Sequence, residues 1–284
     1  MGDSLSQAVT AFGLDVYNKL NKSGACKNVF ISPLSISAAM AMVVGGAMGS
    51  TKTQMEKVSI ETNVPPGASY NDPFLCWHLS DIQATSEFKK LLLQLNNLSP
   101  AYHKPVHMMH QKGIFKLGYM RGTNARILCL PYVGEVLSML IMLPKDIGDL
   151  EQVNQKQANF AHWTASENME EDHVEVYIPR FKLEDSFDLN MTLQALGMID
   201  VFDKSKANLS GMSPSHPLFL SNVLHKAFLE VNEEGTEAAA VAGAVISIRS
   251  LVTYDLFLVD HPFLFCIQHN PTNTVLFLGK LCSP

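Results

Sequence analysis

The chain is short of charge, short of cysteine and without a long apolar run, and each shortage narrows what it can be. Only 17% of its 284 residues are charged, whereas 47% are hydrophobic, a balance that builds a buried core and excludes a disordered chain. The 21 basic residues are scattered and outnumbered by 27 acidic ones, giving a net charge of −6. Neither a basic face for nucleic acid nor a polybasic membrane patch can be assembled from them, so neither partner is expected. The five cysteines (Cys26, Cys76, Cys129, Cys266 and Cys282) are odd in number and contain no CxxC pair, so free thiols in a reducing compartment are expected. The N-terminus has no basic start followed by an apolar stretch, so no cleavable signal is read, and the sequons at Asn21, Asn97, Asn190 and Asn208 are expected to stay unmodified. The most apolar stretch, Ile36 to Met48, is too short to span a bilayer.

Catalytic signatures are missing as well. There is no GxSxG elbow, GxGxxG turn, Walker loop or HExxH pair, so no enzyme activity and no cofactor are expected. His103, His107 and His110 would share a helical face as metal ligands, but Pro105 lies among them and no acid or cysteine is close, so no metal site is expected. Glu170, Glu171 and Asp172 beside His173 read as a solvated turn.

What the chain does have is an ordered series of elements. Val9, Phe12, Leu14, Val16, Tyr17 and Leu20 recur at roughly helical spacing. Asn28 to Ile31 reads as a short buried strand, and Ser32-Pro33 opens a helix that ends at Gly45-Gly46. Thr51 and Gln54 form the pattern of a capping box for a short helix to Val58, and Glu87 to Leu95 reads as an amphipathic helix. After His110 the pattern turns to strands, at Gly113–Met120, Ala125–Leu130, Val136–Leu143, Val174–Leu183, Leu218–Val231, Phe263–Gln268 and Val275–Gly279. Short helices are predicted near Leu150–Gln155, Asn159–Thr164 and Leu189–Leu196. Helices first and strands later predict an α+β architecture, read as one domain over residues 1–284.

The most informative segment follows the strand that ends at Val231. In Glu233-Glu234-Gly235-Thr236-Glu237-Ala238-Ala239-Ala240-Val241-Ala242, an alanine-rich helix is opposed by Gly235, Thr236 and Val241. At period two, Thr236, Ala238, Ala240 and Ala242 share one face, and all are small. A segment that slides into a close-packed sheet needs small residues on its buried face.

Several long motifs now carry a resemblance. Phe228 to Ala240 looks like the hinge of a serpin of the intracellular, ovalbumin-like clade. Asn28 to Ala39, Tyr177 to Leu183, Leu209 to Met212, His261 to Phe265 and Leu276 to Lys280 match the same family in order. The resemblance implies a serpin-like fold, a monomer, and a reactive loop over about 233–254 that baits a serine protease. Counting from Glu233, the bait bond falls at Arg249-Ser250, and a basic residue there implies a trypsin-like partner. By the same resemblance, Asn28, Ser32, Ser35 and His225 belong to a cluster that controls sheet opening, and Arg180 pairs with Glu233 where the loop enters. The clade implies a cytoplasmic location, with signal-independent secretion as the alternative.

One departure stands against these matches. Asn97 to Tyr102 runs directly into His103 to Met109, a motif that comes much later in the family. An internal segment holding strands of the main sheet is therefore missing near Tyr102-His103. The first function expected is inhibition by loop insertion. The alternative is a non-inhibitory interaction protein, or a loop that is simply cut.

Overall fold

The computed structural model describes residues 2–21, 26–59, 89–91, 106–155, 159–215, 217–232 and 253–284. The Tyr102-His103 junction, the expected hinge from Glu233 to Ala242, and the expected bait residues Arg249 and Ser250 lie outside the described residues. Helices α1 (Gly2–Leu20), α2 (Pro33–Gly46) and α3 (Gly49–Ser59) come early. Strands then dominate: β3 (Met108–Met120), β4 (Ala125–Pro131), β5 (Leu137–Pro144), β6 (Glu170–Pro179), β7 (Phe181–Asp188), β8 (Leu224–Val231), β9 (Asp255–Leu258), β10 (Phe263–His269) and β11 (Thr274–Leu281). Two three-residue strands, β1 (Val29–Ile31) and β2 (Lys89–Leu91), and the short helices α4 (Leu150–Gln155), α5 (Phe160–Thr164) and α6 (Asn190–Leu196) complete the set. The α+β reading holds.

The chain divides into two compact units. The first comprises residues 1–79, 183–228 and 266–280. Here α1 buries Phe12, Val16 and Tyr17, and packs on α2 where Gly13 meets Pro33. A Cβ on Gly13 would stand 2.5 Å from the Pro33 ring, so only glycine permits this approach. Strand β1 pairs antiparallel with β11 through Phe30 and Gly279, and Phe30 stacks on Phe277 at 5.3 Å. Strands β7 and β8 form a separate sheet of two strands among the described residues.

The second unit comprises residues 80–182, 229–265 and 281–284, and its sheet runs β5-β4-β3-β6-β9, with β2 also paired to β3. All neighbours are antiparallel except β6 and β9, which run parallel from Val174 opposite Asp255. One face buries Val174, Val176 and Phe257, and Phe181, Phe263 and Phe265 form an aromatic cluster with centroids 5.6–6.0 Å apart.

Several elements differ from the sequence reading. Residues 89–91 are a strand rather than part of a helix, because Lys89, Lys90 and Leu91 find ladder partners in His110, Met109 and Met108. The expected strand over Val174–Leu183 breaks at Arg180: its N–H closes the ladder with β3 by donating to His107 O at 2.7 Å, and from Phe181 the chain pairs with β8 in the other sheet. Strand β8 starts at Leu224, not Leu218: the Leu220 N–H is taken by Val201 O and the Val223 N–H by Asn190 Oδ1. The Thr51 and Gln54 pattern is not a capping box, since Thr51 Oγ1 accepts from Asn208 N–H and Gln54 Oε1 from the Ile199 and Asp200 N–H groups. Glu170, Glu171 and Asp172 are exposed strand residues of β6 and not a turn. Cys129 and Cys266 are free thiols, but Cys26 and Cys282 are disulfide-bonded, which corrects the expectation at those two positions.

Candidate functional site

Two described stretches flank the segment read as bait. Strand β8 leads into it through Val231 and Asn232, and Thr253 and Tyr254 lead out of it into β9. Strand β8 alternates: His225 and Ala227 are buried, while Leu224, Lys226 and Phe228 are exposed. Its ladder partner among the described residues is β7, to which Lys226 adds an ion pair with Glu184 at 2.7 Å. The other edge of β8 thus has no strand on it among the described residues.

The sheet-opening residues expected from the sequence converge in part. Ser32 caps α2 because its backbone is extended (φ −107°, ψ 99°) and its Oγ accepts from Ser35 N–H at 3.2 Å. The same hydroxyl donates to Leu276 O at 2.9 Å and lies 2.9 Å from Ser35 Oγ. The Ser32 N–H donates to His225 Nε2 at 3.0 Å, reaching from the α2 cap to β8. This fixes the neutral tautomer with Nε2 unprotonated, and burial pushes the His225 pKa down, in agreement. Asn28 is half-buried immediately before β1. Arg180 lies in the other unit, between β6 and β7, and its expected partner Glu233 is outside the described residues.

The sequence reading missed two features. Asp185 on β7 is half-buried, and burial raises its carboxyl pKa although Phe30 N–H donates to it. Its Oδ2 is buried without a partner among the described residues. The second feature is the outer face of β3, β6 and β9. Glu175 accepts from Tyr177 Oη at 2.8 Å, lies 3.0 Å from His110 Nε2, and pairs with Lys112 at 3.2 Å. The tyrosine hydroxyl first, then Lys112 and His110, hold the Glu175 carboxyl below its usual range. His110 stacks on Tyr177 at 4.4 Å and faces the Glu175 carboxylate from strand β3 rather than from a helix. Tyr254 closes the row, with Lys112 Nζ 5.4 Å from its ring centroid and His173 edge-on at 5.5 Å. The period-two recurrence of His173, Glu175 and Tyr177 was the available signal. Among the described residues no cluster of three metal-ligating side chains occurs.

Comparison with known proteins adds the following. The family model described as Serpin (serine protease inhibitor) matches residues 7–104 and 97–284, two segments that meet where Asn97 to Tyr102 runs into the later motif. The chain is similar to leukocyte elastase inhibitor A of Mus musculus, 36% identical over 380 aligned positions that cover 99% of this chain and 100% of that protein. Those 380 positions exceed the 284 residues present here, as an internally shortened chain requires. It is also 47% identical to Serpin B12 of Homo sapiens over 188 residues, 64% of this chain and 46% of that protein. Among solved structures, uncleaved ovalbumin superposes with a TM-score of 0.80 at 27% identity, covering 99% of this chain and 100% of ovalbumin.

Proposed function

Because the chain belongs to the serpin family, in its ovalbumin-like branch and internally shortened, we propose that it is a serine protease inhibitor whose bait bond is Arg249-Ser250. The observation that carries this is the hinge itself: Gly235, then small residues at Thr236, Ala238, Ala240 and Ala242 on one face, directly after β8. A trypsin-like target follows from Arg249, since such proteases hold a basic residue against an acidic specificity pocket. The named relative is an inhibitor of an elastase, whose pocket takes small residues, so the specificity proposed here is this chain's own.

In this reading the protease serine attacks the Arg249 carbonyl carbon. The Arg249-Ser250 peptide bond breaks, Ser250 leaves with a new amino terminus, and Arg249 stays bound to the protease as an ester. The hinge then adds as a strand along the edge of β8, carrying the protease with it. A monomer acting in the cytoplasm is proposed. Signal-independent secretion is the alternative, and the disulfide-bonded Cys26 and Cys282 favour it.

One observation favours a second reading, in which the loop is cut without inhibition. With β7 as the sole neighbour of β8 among the described residues, an added hinge strand gains one ladder where a full main sheet offers two. Insertion would then be slower, and hydrolysis of the ester would compete. Incubation with trypsin separates the two readings. Inhibition gives an SDS-resistant protease complex, and the second reading gives cut chain and active protease.

A further inference from the structure

The outer face of β3, β6 and β9 exposes more apolar surface than a solvated sheet needs. Ile114 is 61% exposed, Leu256 49% and Tyr254 38%. Register puts them together: Ile114 is opposite His173, and Glu175, two residues further along β6, is opposite Leu256. Side chains two apart in a strand share a face, so Ile114, His173, Glu175 and Leu256 point the same way, and Tyr254 touches His173. Lys112 is held in this face by Glu175 at 3.2 Å and by the Tyr254 ring at 5.4 Å. The patch is therefore an apolar row in a fixed charged frame, the composition of a protein-binding surface.

Chain length says what covers it. Only Ser250, Leu251, Val252 and Thr253 separate Arg249 from Tyr254. Five residue steps span at most about 18 Å even when fully extended. A protease-inhibitor contact buries about 800 Å² on each partner, a disc of roughly 16 Å radius. Tyr254 therefore lies at most about 18 Å from Arg249, at the edge of a disc centred there, and Ile114 and Leu256 adjoin it through His173 and Glu175. We propose that this face is a docking surface for the body of the protease that attacks the loop, a proposal that rests on the function given above. The partner is a trypsin-like protease whose active-site rim presents apolar side chains to Ile114 and Leu256.

The test measures kcat/KM for trypsin cleavage of the full chain, read as release of the fragment that begins at Ser250. The variants are Ile114→Asp/Leu256→Asp and the milder Ile114→Thr/Leu256→Thr, which keeps strand propensity. The expected result is a drop of roughly fivefold to tenfold for the aspartate pair, carried by KM, and a smaller drop of the same sign for the threonine pair. An unchanged kcat/KM in both pairs overturns the docking surface. Faster cleavage also overturns it, since the face would then be holding the loop. So does a change in oligomeric state with cleavage unaffected, since the occupant would then be a second copy. Wild-type chain left uncut at Arg249-Ser250 would overturn the proposed function itself.

Discussion

Ser32 does three things with one hydroxyl and one amide: it caps α2, holds Leu276 O, and donates to His225. The last bond makes His225 the pH-sensitive point of the cluster. Its pKa is pushed below the ordinary 6.5 by burial, so the unfolded chain takes up this proton at a higher pH than the folded one. The stability carried by this contact is complete above pH of about 6.5 and is lost as pH falls below it. His261 runs the other way. Burial opposes its protonation, but its bonds to Asp260 and Pro144 O outweigh that and raise its pKa, so its contribution is lost as pH rises. The two separate in a variant: the melting temperature of wild type should fall more between pH 7.5 and 5.5 than that of His225→Gln. Equal falls would show that the Ser32 contact carries no proton linkage. Gly211, in the matched Leu209 to Met212 motif, has a simpler role. A Cβ there would stand 2.9 Å from Gly46 O, and Gly211 N–H donates to that same oxygen at 3.1 Å. The obstacle is backbone, so Gly211→Ala should cost roughly 1–3 kcal/mol, measurable by denaturant unfolding.

At the scale of elements, strand β8 is the exposed part of the design. Leu224 is 73% and Phe228 52% exposed on one face, beside an edge with no strand on it among the described residues. An open, apolar edge is a template for pairing with another chain. Leu224→Lys/Phe228→Lys should therefore raise the concentration at which the protein self-associates, read by light scattering, with little change in melting temperature. No change in association would mean that this face is covered. The alternation of β8 was legible in the sequence because buried His225 and Ala227 impose period two on it. Its starting point was not, because Leu220 and Val223 spend their amides on Val201 and Asn190, partners distant in sequence. The α2 cap was legible for the opposite reason: Ser32, Pro33 and Ser35 are neighbours, and the contacts that form the cap are local. Residues 89–91 were misread because Lys89, Lys90 and Leu91 follow their ladder with β3 and not the helical spacing of the leucines around them. The outer face of β3, β6 and β9 escaped notice, since nothing in the residues themselves says that Ile114 and Leu256 become neighbours.

At the scale of the whole molecule, the chain is a serpin whose two matched segments meet near residues 97–104. The motifs on either side are long enough to identify the family, and the sheet whose strand β8 leads toward the proposed hinge consists of β7 and β8 among the described residues. The proposed hinge and the proposed bait bond, Arg249-Ser250, are both in the sequence, so bait and sheet are tested separately. The most direct test is incubation with equimolar trypsin, followed by denaturing electrophoresis and N-terminal sequencing of the released fragment. The account predicts an SDS-resistant complex of chain and protease, with a fragment that begins Ser250-Leu251-Val252. Fully cut chain with active trypsin and no complex, or a fragment that begins elsewhere, would contradict it.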